Sequence, residues 1–189
     1  MILKKMNAII SLLLVTACLA HVGAELVFIL SKGKYMSHFG MGIMSDIVMG
    51  TAMTHVLITV IIFFFHDSKL KIRYPGTNVR TLLQRISGVL MLVFLFLHIG
   101  TGDRLASQAD SGTGYYLLNY VSMALFFAMV FLHISVSFSN ALVTLGAVES
   151  MEKKRTIDRI VWVISGLFFL ASTVIVIYGY CTMIGGEGV

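Results

Sequence analysis

Five apolar runs, each long enough to cross a membrane, constrain this chain more than any other feature. An α-helix needs about 20 apolar residues to span the hydrocarbon core of a bilayer. Hydrophobic residues make up 58% of the 189 residues, charged residues only 12%, and the mean hydropathy is +0.92, which excludes an ordinary soluble domain. We therefore predict an all-α integral membrane protein, a single membrane domain over residues 1–189, with helices at about 7–30, 47–66, 83–100, 115–146 and 157–180.

The basic residues are distributed unevenly between the two ends of these helices. Of the 14 Lys and Arg residues, only Lys32, Lys34 and Arg104 fall on the side opposite the N-terminus. Basic loops face the cytoplasm, so the N-terminus is predicted to be cytoplasmic. The net charge of +5 thus describes topology and contact with membrane lipid, and no nucleic-acid partner is expected.

One histidine lies inside each of the first four apolar runs: His21, His55, His98 and His133. An ionisable ring at membrane depth is costly unless something binds it. Counted from the cytoplasmic ends of their helices at 1.5 Å per residue, His21 and His98 both lie roughly 20 Å deep, and His55 and His133 about 16 and 20 Å deep. These depths predict two pairs, His21 with His98 and His55 with His133, across an up-down four-helix bundle with the fifth helix outside it.

Paired imidazoles across a bundle core are typical of a b-type haem with two axial histidines. Such a haem carries single electrons and has no open iron position. No Cys-x-x-Cys-His motif occurs, so thioether attachment is not expected, and zinc is disfavoured because no third and fourth ligand accompany either pair. One intramembrane histidine alone is more often a packed polar residue, but four in two matched pairs predict two haem b groups with these histidines as iron ligands.

Three motifs also carry a resemblance to a known family. Leu83-Gln84-Arg85-Ile86-Ser87-Gly88 is followed by His98 ten residues after the glycine, and His55 precedes His98 by 43 residues. His133 is followed by Phe138-Ser139-Asn140 and Val143-Thr144-x-Gly146. Together they resemble the diheme cytochrome b membrane anchor of succinate:quinone and quinol:fumarate oxidoreductases, most closely its single-polypeptide, five-helix class.

The resemblance implies a place for the chain in a respiratory enzyme of the bacterial cytoplasmic membrane. His21 and His98 would hold the haem farther from the cytoplasm, and His55 and His133 the nearer one. A flavoprotein subunit and an iron-sulfur subunit would carry the dicarboxylate chemistry. Electrons would pass between the iron-sulfur subunit, the two haems and a quinone, expected to be menaquinone.

The chain departs from the family at two places. Some diheme fumarate reductases have a glutamate two residues before the helix-4 histidine, where this chain has Phe131, so proton transfer by that route is not expected. The small-residue and glycine element that often opens helix 1 is replaced by Ile9-Ile10-Ser11.

Two further residues are candidates for roles at the haems. Glu25 lies four residues after His21, on the same helix face and about 6 Å nearer the outside, where an acid could exchange protons with quinone; the alternative is a carboxylate paired with Lys32 or Lys34. Arg85 is a candidate partner for a haem propionate or a topology determinant only. Helix 5 has no histidine and no expected buried charge, which indicates packing alone.

Two other functions remain compatible with the pattern. The cytochrome b subunit of a hydrogenase or formate dehydrogenase is also a histidine-ligated anchor, although one histidine in each of helices 1 to 4 argues against it. A haem-free transporter or scaffold could use the histidines to bind protons or other helices. The absorption spectrum of the reduced protein separates the haem-free interpretation from the others.

Overall fold

The computed structural model consists of five long helices. It describes the backbone of residues 2–30, 38–66, 75–106 and 113–185, and the side chains of residues 2–24, 27, 42–65, 79–100 and 120–178. The helices are α1 (Ile2–Leu30), α2 (His38–His66), α3 (Pro75–Ala106), α4 (Thr113–Leu145) and α5 (Met151–Gly185), and no strand occurs within these ranges. Each is long and apolar enough to cross a membrane. The prediction of an all-helical chain with five helices of membrane-spanning length and composition is confirmed.

The chain forms two compact units, which are described separately. The first comprises Met1–Arg73 and Ser137–Asp158, and so contains α1, α2, the end of α4 and the start of α5. The second comprises Tyr74–Val136 and Arg159–Val189, and so contains α3 with most of α4 and α5.

Each helix is longer than the apolar run that predicts it. The difference is largest in α3, which begins at Pro75 rather than near residue 83 and ends at Ala106 rather than near residue 100. Proline is favoured at a first helical position because the missing N–H has no partner there anyway. Likewise, α2 begins at His38 and α5 at Met151, before their apolar runs. An apolar run marks the part of a helix that suits hydrocarbon, and polar residues can continue the helix beyond it.

A tight turn joins α4 to α5. Gly146 has a φ of +81°, and the N–H groups of Gly146 and Ala147 each donate a 3.0 Å hydrogen bond to carbonyls in the last turn of α4. This left-handed glycine closure is a common way to end a helix. Ser150 then caps α5, because its hydroxyl accepts a 3.2 Å hydrogen bond from the N–H of Lys153. Both contacts explain why α5 starts earlier than predicted.

Large apolar side chains lie mainly on the outside of the helices. Phe64 is 67% exposed and Phe96 is 65% exposed, whereas the largest fully buried side chains among the described residues are Ser87, Ser135 and Ser139. This distribution is expected in a membrane, because lipid solvates apolar side chains and helices approach each other through small residues.

In the first unit, α1 packs along α2. The Thr59 hydroxyl donates a 3.3 Å hydrogen bond to the side-chain oxygen of Asn7. Because Asn7 lies near the start of α1 and Thr59 near the end of α2, the two helices run antiparallel.

The same unit contains a partly buried charge near the start of α5. Asp158 accepts a 2.5 Å hydrogen bond from the Ser139 hydroxyl of α4 and forms a 3.1 Å salt bridge with Lys154. Its side chain is 20% exposed, because the tight turn brings the end of α4 against the first turns of α5.

In the second unit, polar contacts join α3 to α4 and α4 to α5. Nε of Arg80 donates a 2.8 Å hydrogen bond to the Val136 carbonyl. The hydroxyls of Ser135 and Ser165 lie 2.9 Å apart. These serines belong to α4 and α5, so α4 contacts both of its chain neighbours within this unit.

Candidate functional site

All four candidate histidines are half-buried, and each unit contains two of them. His21 and His55 belong to the first unit, on α1 and α2, and His98 and His133 belong to the second, on α3 and α4. Each predicted pair takes one histidine from each unit, so the pairing stays a prediction.

His133 is held against the backbone of α3. Its Nδ1 lies 3.1 Å from the Gln84 carbonyl oxygen and 3.1 Å from the Ser87 hydroxyl. Gly88 completes the contact, since a Cβ atom there would lie 3.3 Å from Cε1 of the ring. The ring therefore packs directly on one turn of α3, at the Gln84 to Gly88 part of the motif that resembles the cytochrome family.

These contacts determine which nitrogen of His133 carries the proton. A backbone carbonyl can only accept a hydrogen bond, so the proton belongs on Nδ1. The neutral ring then has its lone pair on Nε2. A histidine that binds a metal has this form, with one nitrogen donating to a carbonyl and the other on the metal.

His98 has the same protonation for a different reason. Its Nδ1 lies 3.0 Å from the Met123 sulfur, and a thioether can only accept, although weakly. The ring also stacks on Phe126, with centroids 5.3 Å apart and planes 15° apart. Both histidines of the second unit thus have Nδ1 at an acceptor and the lone pair on Nε2.

The histidines of the first unit have different surroundings. The His55 ring meets the backbone of Asn7 on α1. Nδ1 of His21 is buried and has no hydrogen-bond partner among the described residues, a situation that costs about 1–3 kcal/mol unless something else provides a partner. This buried ring nitrogen is therefore a candidate contact for a ligand that the chain itself does not supply.

The first unit places its histidines at two levels. His55 meets the backbone of Asn7, and His21 lies 14 residues farther along α1. At the rise of an α-helix this separation is about 21 Å.

The second unit repeats this spacing. His133 meets the backbone of Gln84, and His98 lies 14 residues farther along α3, again about 21 Å. In both units, the histidine on the second helix contacts the backbone of an asparagine or glutamine on the first helix. That residue precedes the first helix's own histidine by 14 positions in both cases. The sequence analysis missed this repeat, although the Asn7–His21 and Gln84–His98 spacings are visible in the sequence.

The described side chains contain no group of three or more His, Cys, Asp or Glu that could hold a metal ion. Protein zinc sites need three or four such ligands, whereas a haem with two axial histidines needs only one ring on each side. Two histidines at each of two levels would meet that requirement if the predicted pairs face each other.

The two arginines of the α3 motif region have different surroundings. Arg80 lies one turn before Gln84, on the same face of α3, and bonds the Val136 carbonyl about one turn beyond His133. Arg85 lines an open groove on α3 with Ile86, Val89 and Leu90. The propionate role of Arg85 stays a prediction. The contact of Arg80 with α4 was not predicted from the sequence, although Arg80 shares one face of α3 with residues 84, 87 and 88.

Glu25 and Phe131 are the remaining positions singled out from the sequence. Glu25 lies in α1, one turn beyond His21, and its side chain lies outside the described residues. Phe131 packs on α5, with its ring 5.2 Å from Trp162 at 86° and 5.9 Å from Phe169. The position two residues before His133 therefore forms an aromatic contact between α4 and α5.

Comparison of the chain with known proteins gives no relative. No family model, curated protein or solved structure matches it. The functional assignment therefore rests on the histidine pattern, the family-like motifs and the geometry of the rings.

Proposed function

We propose that the chain is the haem b-containing membrane anchor of a succinate dehydrogenase or fumarate reductase complex, and that it transfers electrons between an iron-sulfur subunit and a membrane quinone. The observation that carries this proposal is the contact of Nδ1 of His133 with a carbonyl and of Nδ1 of His98 with a thioether. A neutral ring that donates through Nδ1 has its lone pair on Nε2, where iron would bind.

The four histidines divide between two haems in this proposal. His55 and His133 hold the haem nearer the cytoplasm, and His21 and His98 hold the other. When bound, each haem supplies a one-electron carrier without an open coordination position. The equal 14-residue spacing within the two units supports this division, because it gives both units the same separation between levels.

The remaining roles follow from charge and position. The N-terminus and the basic loops face the cytoplasm, where the iron-sulfur and flavoprotein subunits bind and carry the dicarboxylate chemistry. Glu25 exchanges protons with the quinone near His21, and the propionate-binding role remains with Arg85. Phe131 stands where some diheme fumarate reductases have a glutamate, and it contacts Trp162 and Phe169, so the proposal includes no proton route through that position.

Haem content is the first test of the proposal. We expect the full chain, purified from bacterial membranes with its bound proteins, to contain two haem b per chain by the pyridine haemochromogen assay. Its spectrum should be six-coordinate and low-spin in both oxidation states and should not change with carbon monoxide, because both axial positions are occupied. Absence of haem, or a haem that binds carbon monoxide, would contradict the proposal.

The identity of the enzyme needs a second measurement. The proteins that copurify with the chain should include a flavoprotein, and the complex should reduce quinone with succinate or reduce fumarate with quinol. A diheme chain that copurifies with a hydrogenase or formate dehydrogenase would keep the haems and overturn the assignment to succinate or fumarate chemistry.

A further inference from the structure

Ser87 is a fully buried hydroxyl that contacts a candidate iron ligand. It is 0% exposed, and its oxygen lies 3.1 Å from Nδ1 of His133 and 3.2 Å from the Gln84 carbonyl in its own helix. The same carbonyl lies 3.1 Å from Nδ1. Three polar atoms from one helix turn and one ring thus form a closed triangle.

Only one arrangement of protons satisfies all three contacts. If the Ser87 hydroxyl donated to Nδ1, the lone pair of that nitrogen would face the lone pairs of the Gln84 carbonyl at 3.1 Å. If Nδ1–H donates instead, it can be shared between the carbonyl and the Ser87 oxygen, while the hydroxyl proton points to the carbonyl. The second arrangement leaves no two lone pairs opposed, so Ser87 acts as an additional acceptor for the ring.

Gly88 limits the ring from the side. A Cβ there would lie 3.5 Å from Nδ1 of His133, an ordinary contact, but 3.3 Å from Cε1, closer than most side chains pack. An alanine would therefore require the ring to shift by a few tenths of an ångström, and hydrogen bonds determine the rotation of the ring beside Gly88.

We propose that Ser87 is a positioning residue for His133: with Gln84 and Gly88 it orients the ring, keeps the proton on Nδ1 and presents Nε2 to the haem iron. This inference rests on the proposed function and adds a role for one residue of the α3 motif. Acceptors at Nδ1–H make an imidazole a stronger electron donor, which stabilises ferric iron. Ser87 thus lowers the reduction potential of the haem that His133 binds.

The first experiment removes the hydroxyl in the full chain. Ser87→Ala should retain two haems but raise the midpoint potential of one of them, and it should broaden the low-spin electron paramagnetic resonance signal of that haem because the ring orientation is less restricted. Ser87→Thr keeps the hydroxyl and should restore both properties. If Ser87→Ala loses one haem and Ser87→Thr retains it, the outcome also supports the positioning role, because haem binding itself would then depend on the hydroxyl.

Ser135→Ala is the matched control. Ser135 is 1% exposed and lies two residues after His133, but its hydroxyl faces Ser165 on α5 at 2.9 Å. Its replacement should leave both potentials unchanged. An equal shift in Ser135→Ala and Ser87→Ala would mean that any buried serine acts alike, and the inference would be overturned.

A second pair of variants tests the ring position without changing a hydrogen bond. Gly88→Ala should change the paramagnetic resonance signal of the same haem, whereas Gly166→Ala should not, because its Cβ would lie at an ordinary 3.6 Å from Phe131. Unchanged spectra in Gly88→Ala together with unchanged potentials in Ser87→Ala would overturn the positioning role of Ser87. The proposed function would still stand in that case, provided that the unmodified chain contains two haems. A chain without haem would remove both.

Discussion

The α1–α2 pair and the α3–α4 pair carry the same arrangement of histidines but hold the rings differently. In α3–α4, the Nδ1 atoms of His98 and His133 lie at a thioether and a carbonyl. In α1–α2, Nδ1 of His21 is buried without a hydrogen-bond partner among the described residues. The difference teaches that helix register sets the level of each histidine, whereas local contacts set the orientation of its ring.

The largest expected effect tests whether the two helix pairs share their haems. His55→Ala and His133→Ala should each lose the same one of two haems, and His21→Ala and His98→Ala should each lose the other. The double variant His55→Ala/His133→Ala should still contain one haem, as measured by the haemochromogen assay and redox titration.

The pairing can fail in a defined way. If His55→Ala/His133→Ala contains no haem, the two histidines serve different haems and the division between pairs is incorrect. His66→Ala changes a histidine outside the predicted ligand set and should retain two haems.

The next effect concerns an acid one turn after the histidine of α1, where α3 has a glycine. Glu25 follows His21 by four residues, and the equivalent position after His98 is Gly102. Glu25→Gln should slow quinone turnover by roughly a hundredfold, because a positioned acid or base contributes about that much, and both haems should remain. Asp103→Asn on α3 is the control and should turn over normally. Normal turnover in Glu25→Gln would remove Glu25 from the mechanism.

A moderate effect is expected in the stability of the helix contacts. Arg80→Gln removes the charged partner of the Val136 carbonyl and should lower the free energy of unfolding by about 1.5–3 kcal/mol. Thr59→Ala removes the 3.3 Å contact between α1 and α2 and should cost less, because Thr59 is exposed. Thermal unfolding of the purified chain in detergent measures both.

Arg159→Gln is the control for the stability comparison. Arg159 is exposed on α5, so its replacement should change the unfolding temperature less than Arg80→Gln does. An equal loss in Arg159→Gln would mean that the effect of Arg80→Gln does not come from its contact with Val136.

The smallest expected effect is at His98. Met123→Leu conserves volume but removes the sulfur that accepts from Nδ1, so the potential of the haem bound by His98 should rise slightly while the stacking on Phe126 persists. Met151→Leu, at a 67% exposed position, should leave both potentials unchanged. If Met123→Leu shifts the potential of the other haem instead, the proposed division of the histidines between the two haems is incorrect.

The spans could be predicted from the sequence, but their ends could not. Apolar runs identify hydrocarbon-facing segments directly, whereas the start of α5 depends on Gly146 and Ser150, which shape the chain through backbone contacts. The same turn brings Asp158 into contact with Ser139, a contact that the apolar run of helix 5 does not indicate.

The candidate ligands could be predicted, but not their partners. A histidine inside an apolar run is conspicuous because of its cost, and all four are visible in the sequence. The contact of His133 with Ser87 joins residues 46 positions apart, and it depends on the register of two antiparallel helices. Apolar side chains on all faces do not specify that register, so the contact follows only from packing.

The hydrogen bond between His133 and α3 bears on how a protein of this kind matures. It involves only groups of the chain, so the ring loses its rotational freedom as soon as the two helices dock in the bilayer. Under the proposed function, a porphyrin that arrives later would meet a prearranged ligand, and the entropic penalty of ordering the ring would fall on membrane assembly rather than on cofactor capture. Insertion and folding of the chain would then precede haem delivery.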